Sequence, residues 1–351
     1  MNVPEMFPPE QAPAPAATSV GPGVERWPRW REELDPYTRP RVGRSLLSLA
    51  TSVLPYLGLS VLMYFSLDVS YLLTLLIAVP AAGFLLRTFI LFHDCAHGSL
   101  LPSKRANAWL GRGLGILVFT AFGSWRHSHA VHHATAGDLG RRGVGDVPTL
   151  TVAEYLALPW RRRLGYRLFR NPLVMFGLGP VLAMVILPRL PSSASRPRIR
   201  RSVIATDIAL ALFIGLLCFL IGWRDYLLVQ APSMTLAASA GVWLFYVQHQ
   251  FEDTYWQSGE EWSYADAALQ GSSYLKLPKI LQFFTGNIGL HHVHHLSARI
   301  PNYNLQRAHD DHPVCHGVPT ISLWDGIRAV RLKLWDEQQG RLVTFAEARP
   351  R

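Results

Sequence analysis

The 351-residue sequence has few charged residues and few cysteines. Only 17% of the residues are charged, which is low for a soluble domain, whereas 49% are hydrophobic. Cys95, Cys218 and Cys315 lie far apart and form no CxxC pair. The sequence therefore predicts no disulfide framework and no iron–sulfur cluster, and it favours a reducing compartment. It also lacks solenoid repeats and a basic-then-apolar signal peptide.

Charge is strongly biased towards one sign. The formal net charge is +10, and the basic residues cluster at the ends of apolar segments. No aromatic-basic motif accompanies this charge, so nucleic acid is not an expected partner. Basic flanks of this kind are typical of the cytoplasmic face of a membrane, where anionic lipids attract them.

Long apolar runs dominate the middle of the chain. A bilayer crossing needs about 20 residues, and four runs have that length, at about 46–66, 71–92, 203–222 and 226–247. Two shorter apolar stretches, 108–123 and 172–188, have basic residues on both sides, so we interpret them as re-entrant or interfacial.

The fold class that follows is an all-α integral membrane protein. We expect four transmembrane helices, further interfacial or re-entrant helices, and a cytoplasmic helical cap that carries a di-metal site. Residues 1–40 are predicted to form a disordered tail, and residues 41–351 a single domain. Four crossings place both termini and every histidine cluster on the cytoplasmic side. The glycine-rich stretch 138–146 is either an ordinary solvated loop or a lid near a substrate head group.

Most of the 14 histidines lie in three short clusters: HDCAH at 93–97, HAVHH at 129–133 and HHVHH at 291–295. Residues three and four apart share one helix face, so eight imidazoles point in common directions. Eight ligands exceed the four or so that one zinc takes, and therefore suit two metal ions. Imidazole binds iron, copper, nickel and zinc alike, so the ligand type does not choose the metal. His292 falls about 100° round the helix from His291 and is predicted to lie beside the site or at the surface.

A histidine-rich metal site at a membrane surface indicates oxygen chemistry on a lipid chain. Unactivated C–H bonds offer no acidic proton and no electrophilic carbon, so a redox metal must carry the difficult step. Zinc has no redox chemistry. Iron is the expected metal.

The three clusters in this order resemble the membrane fatty acid desaturases, and most closely the bacterial acyl-lipid desaturases. The similarity runs from about Gly83 to Leu342 and includes RRGVGD, YVQHQFEDTYW, GNIGLHHVHHLS and RIPNYNL. It implies an enzyme with two non-haem iron ions that uses O2 and two external electrons. The implied product is a cis double bond in the acyl chain of a membrane lipid, and we expect the Δ12 (ω6) position.

The resemblance also implies the ligands. They are His93, His97, His129, His132, His133, His249, His291, His294 and His295. His249 is the one ligand outside the clusters, and it follows the fourth apolar run at the depth where His93 follows the second. Four residues are expected next to the ligands: Asp94, Asn287, His127 and His292. Asp94 would accept a hydrogen bond from a ligand imidazole, and Asn287 would contact a metal-bound water.

The remaining histidines and Cys95 are not expected to bind metal. His309, His312 and His316 match no cluster and are predicted to be surface residues. Cys95, inside the first cluster, is predicted to be a small buried residue and not a ligand. Ala96 stands where the family more usually has glycine, a change that a helix tolerates.

An external electron donor is expected, because the chain contains neither a His-Pro-Gly-Gly haem motif nor a cysteine cluster. A ferredoxin or a similar small redox protein fits this role, and the basic face would dock an acidic carrier. The predicted location is the bacterial inner membrane, with the active site on the cytoplasmic face.

Two alternative functions stay open at this point. A fatty acyl hydroxylase, epoxygenase or carotenoid oxygenase would use the same scaffold, and its product would gain oxygen instead of losing two hydrogens. A metal transporter would place ionisable ligands near the middle of its spans, whereas these histidines lie at the ends.

Overall fold

The computed structural model describes residues 29–190 and 196–348. The helices are α1 Trp30–Leu34, α2 Val42–Ser66, α3 Tyr71–His97, α4 Lys104–Leu117, α5 Phe122–Thr135, α6 Val152–Ala157, α7 Trp160–Phe169, α8 Pro197–Ile221, α9 Trp223–His249, α10 Tyr264–Gln270, α11 Lys279–Phe284, α12 His291–Leu296, α13 Asn302–Asp311 and α14 Leu323–Ala329. The strands are β1 Leu150–Thr151, β2 Tyr274–Lys276, β3 Thr320–Ser322, β4 Leu334–Asp336 and β5 Arg341–Val343.

Four helices are long and apolar enough to cross a membrane, namely α2, α3, α8 and α9. They correspond to the four predicted spans, so the all-α membrane fold is confirmed. α3 is the central helix, because it packs against both α2 and α9. The structure extends α3 and α9 to His97 and His249, and the histidines therefore continue the spans without a break.

α2 shows why these helices suit lipid and not water. In the first half of the helix the buried residues are the small polar Ser45, Ser48 and Ser52, whereas leucines such as Leu46 and Leu47 are exposed. Small residues allow neighbouring helices to approach closely inside a bilayer, and exposed leucines fit hydrocarbon. This pattern is the inverse of a soluble amphipathic helix.

α3 ends in a tight cap that fixes the first histidine cluster. Gly98 adopts a left-handed conformation with φ of 71° and its N–H donates to the carbonyl of Cys95. A residue without a side chain takes this conformation at little cost. The chain then turns back towards α4, and the cluster stays at the end of the span.

The cap over the spans contains two small sheets that the sequence analysis did not predict. β1, β4 and β5 form one sheet, in which β1 is parallel and β5 antiparallel to β4; β2 and β3 form a parallel pair. Each strand is two or three residues long, too short for a periodic signal. A hydrophobic core that includes Ile288, Val293, Leu296 and Leu305 packs α12 against α13.

The predicted disordered tail extends too far along the chain. Residues 1–28 lie outside the described residues, but α1 and the turn that follows it, Asp35–Thr38, are ordered. Trp30 stacks on Tyr264 with ring centroids 6.1 Å apart, and Leu34 is buried. Two apolar side chains four residues apart are enough to dock one helical turn on the cap.

The two shorter apolar stretches do not form spanning helices in the described part of the chain. Residues 108–123 contribute most of α4 and the first turn of α5, and residues 172–188 form the irregular π-helical turns Val174–Leu178 and Val181–Ile186. Neither is among the helices long and apolar enough to cross. Their re-entrant or interfacial position stays a prediction.

Candidate metal centre

The structure brings the nine predicted ligands together in two groups. One group contains His93, His97, His129, His133 and His294, and the other contains His132, His249, His291 and His295. Within each group, the ring nitrogens that can bind a metal lie within 4.8 Å of one another. The ends of α3, α5, α9 and α12 supply them.

α5 divides three of its four histidines between the two groups. His129 and His133 share one face and point into the first group, whereas His132 points into the second. α12 does the same, with His294 in the first group and His291 and His295 in the second. The two groups are thus neighbours that share two helices.

The spacing of the nitrogens fits a metal ion. In the first group, the Nε2 atom of His133 lies 3.1 Å from that of His129 and 3.0 Å from that of His294. In the second, the Nε2 atoms of His249 and His291 are 3.0 Å apart. Two nitrogens bound at about 2.1 Å to one ion, at angles between 90° and 109°, are about 3.0–3.4 Å apart. The donor set is therefore suited to two nitrogen-bound transition metals.

Burial prepares these imidazoles to bind metal. It lowers the pKa of His129 and His133, and the neighbouring imidazoles lower each pKa further. The same two causes lower the pKa values of His291, His294 and His295. The neutral form is the one that offers a lone pair to a metal.

Buried acceptors contact Nδ1 of three of the nine imidazoles. The Nδ1 atom of His249 lies 3.1 Å from the carbonyl oxygen of Gly271, and the Nδ1 atom of His132 contacts a carboxylate oxygen of Asp146. The Nδ1 atom of His93 lies 3.3 Å from Oδ1 of Asp94. An acceptor at Nδ1 favours the tautomer whose Nε2 lone pair faces the metal.

Sequence reasoning missed Asp146. The RRGVGD stretch left a solvated loop and a lid as alternatives, but the structure places its last residue against His132. Gly145 makes this approach possible: its φ is 75°, and a Cβ atom there would lie 2.7 Å from the carbonyl oxygen of Ser128. The available signal was a carboxylate directly after glycines and close behind a histidine cluster.

Two aromatic residues were also missed. Trp125 stacks on His129 with ring centroids 4.3 Å apart, and Phe245 packs against His249 at 5.2 Å. Each lies four residues before its histidine, on the same helix face. The two aromatic side chains line the metal centre and restrict the movement of the imidazoles.

Asp94 contacts His93 of the first group, and Asn302 connects Asp94 to Asn287. Oδ2 of Asp94 accepts hydrogen bonds from both the backbone N–H and the Nδ2 atom of Asn302, each 2.8 Å long. Asn287 donates from Nδ2 to the carbonyl of Asn302 over 3.0 Å. The contact of Asn287 with a metal-bound water stays a prediction.

The structure places His127 and His292 differently from the ligands. His127 is exposed and belongs to neither group. His292 is fully buried, and its Nε2 atom lies 3.0 Å from Nδ1 of His309, away from the metal ligands. Burial, with a further contribution from His309, lowers the pKa of His292 to about 3. It supports the core of the cap beside the site.

The prediction that His309 lies at the surface is wrong. It is half-buried between His292 and Tyr274, so it belongs to the interior of the cap. His316 is exposed, and His312 lies in part against Tyr37. Cys95 is buried and belongs to neither metal group, which agrees with its interpretation as a small buried residue.

A small cavity lies directly beside the second group. It has a volume of about 20 Å³, and its lining includes His132, His249, Asp146, Phe245 and Gln250. About 10–15 Å³ of such volume holds one water molecule. The cavity thus has room for a molecule the size of water or O2 next to the ligands.

Comparisons with known proteins agree with this geometry. Residues 69–320 match the fatty acid desaturase family. A fatty acid desaturase of Bacillus subtilis is 47% identical over 309 residues, which cover 88% of each chain.

Two relatives from Synechocystis are more distant. An sn-1 acyl-lipid omega-3 desaturase (ferredoxin) is 29% identical over 63% of this chain and 62% of its own length. An sn-1 oleoyl-lipid 12-desaturase is 25% identical over 75% of this chain and 73% of its own length. With the family match over most of its length and three histidine clusters meeting in one centre, the chain belongs to the fatty acid desaturase family.

Proposed function

We propose that this protein is an O2-dependent desaturase with two iron ions, which inserts a cis double bond into an acyl chain of a membrane lipid. The observation that carries this proposal is the convergence of nine imidazoles in two adjacent groups at the ends of α3 and α9. In this proposal His93, His97, His129, His133 and His294 hold one iron, and His132, His249, His291 and His295 hold the other.

The overall reaction sets what the protein must provide. A –CH2–CH2– pair loses two hydrogens, and O2 with two external electrons and two protons becomes two water molecules. When bound, the iron ions supply the redox chemistry that these C–H bonds require. The protein positions the acyl chain, surrounds it with apolar side chains and excludes bulk water.

Individual residues have defined tasks in this proposal. Asp146, the Gly271 carbonyl and Asp94 hold the imidazoles of His132, His249 and His93 in the metal-binding orientation. Such partners are worth 10–100-fold in metal affinity or activity in other proteins. Trp125 and Phe245 present apolar surface towards the site.

We further propose that a ferredoxin-like protein supplies the electrons. Two relatives, from Synechocystis and Nostoc, carry ferredoxin in their names. The positive net charge of this chain would attract an acidic carrier. In this proposal the protein lies in a bacterial inner membrane and the metal centre faces the cytoplasm.

The position of the double bond is a separate proposal. We keep the Δ12 (ω6) position, which is the position that the name of the 12-desaturase relative suggests. The omega-3 names of other relatives describe a different position, so product mapping must decide.

The test is expression of the full chain with a ferredoxin in a host that lacks polyunsaturated lipids, followed by double-bond mapping of its fatty acids. A new double bond, absent when His294 is replaced by Ala, supports the proposal. A product that gains one oxygen atom would instead identify a hydroxylase or epoxygenase. Metal analysis of the purified protein should find about two iron ions per chain; one zinc and no iron would overturn the di-iron assignment.

A further inference from the structure

A pocket rich in arginine lies at the beginning of α2, apart from the metal ligands. Its volume is about 230 Å³, and its lining includes Tyr37, Arg39, Arg41, Asn304 and Arg307. One water molecule needs about 10–15 Å³ of such volume, so the pocket has room for a phosphate group with its ester substituents. Guanidinium groups bind phosphate through paired hydrogen bonds.

The charge around this pocket is only partly compensated. Arg39 lies 3.7 Å from Asp35, and Arg307 lies 3.3 Å from Asp311. Both pairs are solvent-exposed and four residues apart, and such pairs contribute little. Within residues 29–190 and 196–348, Arg41 makes no ion pair. An anion in the pocket could therefore bind the unpaired guanidinium of Arg41. It could also replace the carboxylates that Arg39 and Arg307 contact, because these exposed ion pairs are weak.

The depth of the pocket matches that of lipid phosphates. Arg41 directly precedes α2, the first spanning helix, and the exposed apolar residues Val42, Leu46 and Leu47 follow at once. The pocket therefore adjoins the polar end of the first candidate span, the part of a spanning helix that meets the bilayer surface. Phosphate groups of a bilayer lie at this surface, just outside the apolar core.

Two hydrogen bonds lead from the start of α2 towards the chain around the first histidine cluster. The backbone N–H of Arg41 donates to the hydroxyl of Tyr303, and Ser45 donates to the carbonyl of Leu100, three residues beyond His97. Tyr303 belongs to α13, the helix whose other residues Asn304 and Arg307 line the pocket.

α13 is also connected to the metal centre, through Asp94. Asn302 at its beginning holds the carboxylate of Asp94, which contacts His93. Arg307 is five residues further along, about 7.5 Å of helix. One short helix thus contacts the pocket and the residue that orients a metal ligand.

We propose that this pocket binds the phosphate group of a glycerophospholipid and so holds the head group of the substrate. The role in catalysis rests on the proposed function, whereas binding of the phospholipid does not. A concave site at bilayer depth fits a lipid better than the surface of a protein carrier. Coenzyme A also carries phosphate, but it is water-soluble and needs no site at this depth.

The binding arm of the test uses purified full-length protein in maltoside detergent. Retention of added phosphatidylglycerol and of a diacylglycerol with the same chains is measured by native mass spectrometry. Arg41→Ala and Arg307→Ala should each lose about tenfold in phosphatidylglycerol retention and nothing in diacylglycerol retention. Arg44→Ala is the matched control, because Arg44 is exposed on α2 but does not line the pocket.

The kinetic arm measures desaturation with a ferredoxin as donor. The two pocket variants should raise KM for phosphatidylglycerol about tenfold and leave kcat unchanged. Arg41→Lys should recover part of the loss, since it keeps the charge but not the paired geometry.

Several outcomes would overturn the proposal. If Arg41→Ala and Arg307→Ala both retain phosphatidylglycerol as well as the wild type does, the pocket does not bind phospholipid. A KM change for acyl coenzyme A alone would assign the phosphate chemistry to coenzyme A, and a KM change for ferredoxin alone would make this a protein-docking surface. If the wild type desaturates no lipid, the proposed function is wrong. The binding measurements would still show whether the pocket binds phospholipid.

Discussion

Nη2 of Arg170 donates a hydrogen bond to Oε1 of Gln250 across 2.9 Å, one residue beyond His249. Arg170 is fully buried at the end of α7 and also donates to the Pro148 carbonyl and the Tyr246 hydroxyl. It makes no ion pair with any residue in the described ranges. A single guanidinium therefore ties α7, the last turn of α9 and the chain before β1 together.

Replacement of Arg170 should destabilise the cap. Arg170→Met would remove a charged donor from the buried oxygen atoms of Pro148 and Gln250, which would keep only the longer hydrogen bonds from the hydroxyls of Tyr166 and Thr149. Loss of a hydrogen bond to a charged group costs about 1.5–3 kcal/mol. We expect Tm in detergent to fall by about 5–10 °C. Arg170→Lys should recover little, because an ammonium group does not reproduce the planar fork.

The matched control for this prediction is Arg167→Met. Arg167 lies on α7 and is exposed. Its side chain donates to the Tyr155 hydroxyl, whereas Arg170 donates to several buried oxygen atoms, so Arg167→Met should lower Tm much less. Equal Tm values for Arg170→Met and the wild type would show that the hydrogen bonds at Gln250 contribute nothing to stability.

The spans and the three histidine clusters could be recognised in the sequence because both repeat a simple pattern. A bilayer imposes length and apolarity on each span, and the three- and four-residue spacing of His129, His132 and His133 is a helix signal in itself. The orienting partners Asp146 and Gly271 could not be found this way. Asp146 and Gly271 lie 14 and 22 residues after their histidines, and only the folding of a loop and a turn brings them into contact. Backbone carbonyls such as that of Gly271 also have no sequence signature.

The N-terminal segment and the small sheets escaped prediction for a related reason. Trp30 is apolar in a polar segment, and only the presence of Tyr264 shows that it has a surface to dock on. β1 and β4 pair as parallel strands across more than 180 residues. Short strands that pair at this separation leave no local pattern.

His249 is predicted to be required for metal binding. His249→Ala removes one of four nitrogens from the second group, so that iron should be held more weakly while the chain still folds. We expect loss of about one iron per chain and a large fall in desaturation, with an unchanged far-ultraviolet circular dichroism spectrum. His249→Ala with two irons and near-normal activity would remove it from the ligand set.

His127→Ala is the appropriate control for His249→Ala. His127 is exposed and lies outside both groups, so the substitution should leave iron content and activity near wild type. His309 is unsuitable as a control, because it contacts the buried His292.

Asp146 is predicted to strengthen metal binding through His132. Asp146→Asn keeps the size of the side chain but removes the carboxylate that contacts Nδ1 of His132. We expect iron affinity to fall about 10–100-fold, as for other acceptors behind metal-bound histidines. The measurement is iron loss to a chelator in a titration series. Asp253→Asn, at an exposed position, should bind iron like the wild type, and equal affinities for both variants would count against the role of Asp146.

Lys333 is predicted to make stability depend on pH. It is buried, and no described residue accepts a hydrogen bond from its Nζ atom. Burial, with a further contribution from Arg170, lowers its pKa to about 7. An unfolded chain keeps this proton until about pH 10.4. Between these values the unfolded state binds more protons, so stability rises with pH.

Lys333→Met should remove this dependence, because methionine carries no proton and fits an apolar site. Tm should therefore increase by several degrees at pH 6, where the lysine is charged in both states and its burial is most unfavourable. The increase should shrink steadily as the pH rises from 7 to 10. Lys276→Met, at an exposed position, should show a difference from wild type that does not vary with pH. A Tm increase for Lys333→Met that stays constant between pH 6 and pH 10 would mean that Lys333 titrates normally, since only a depressed pKa produces a difference that declines in this window.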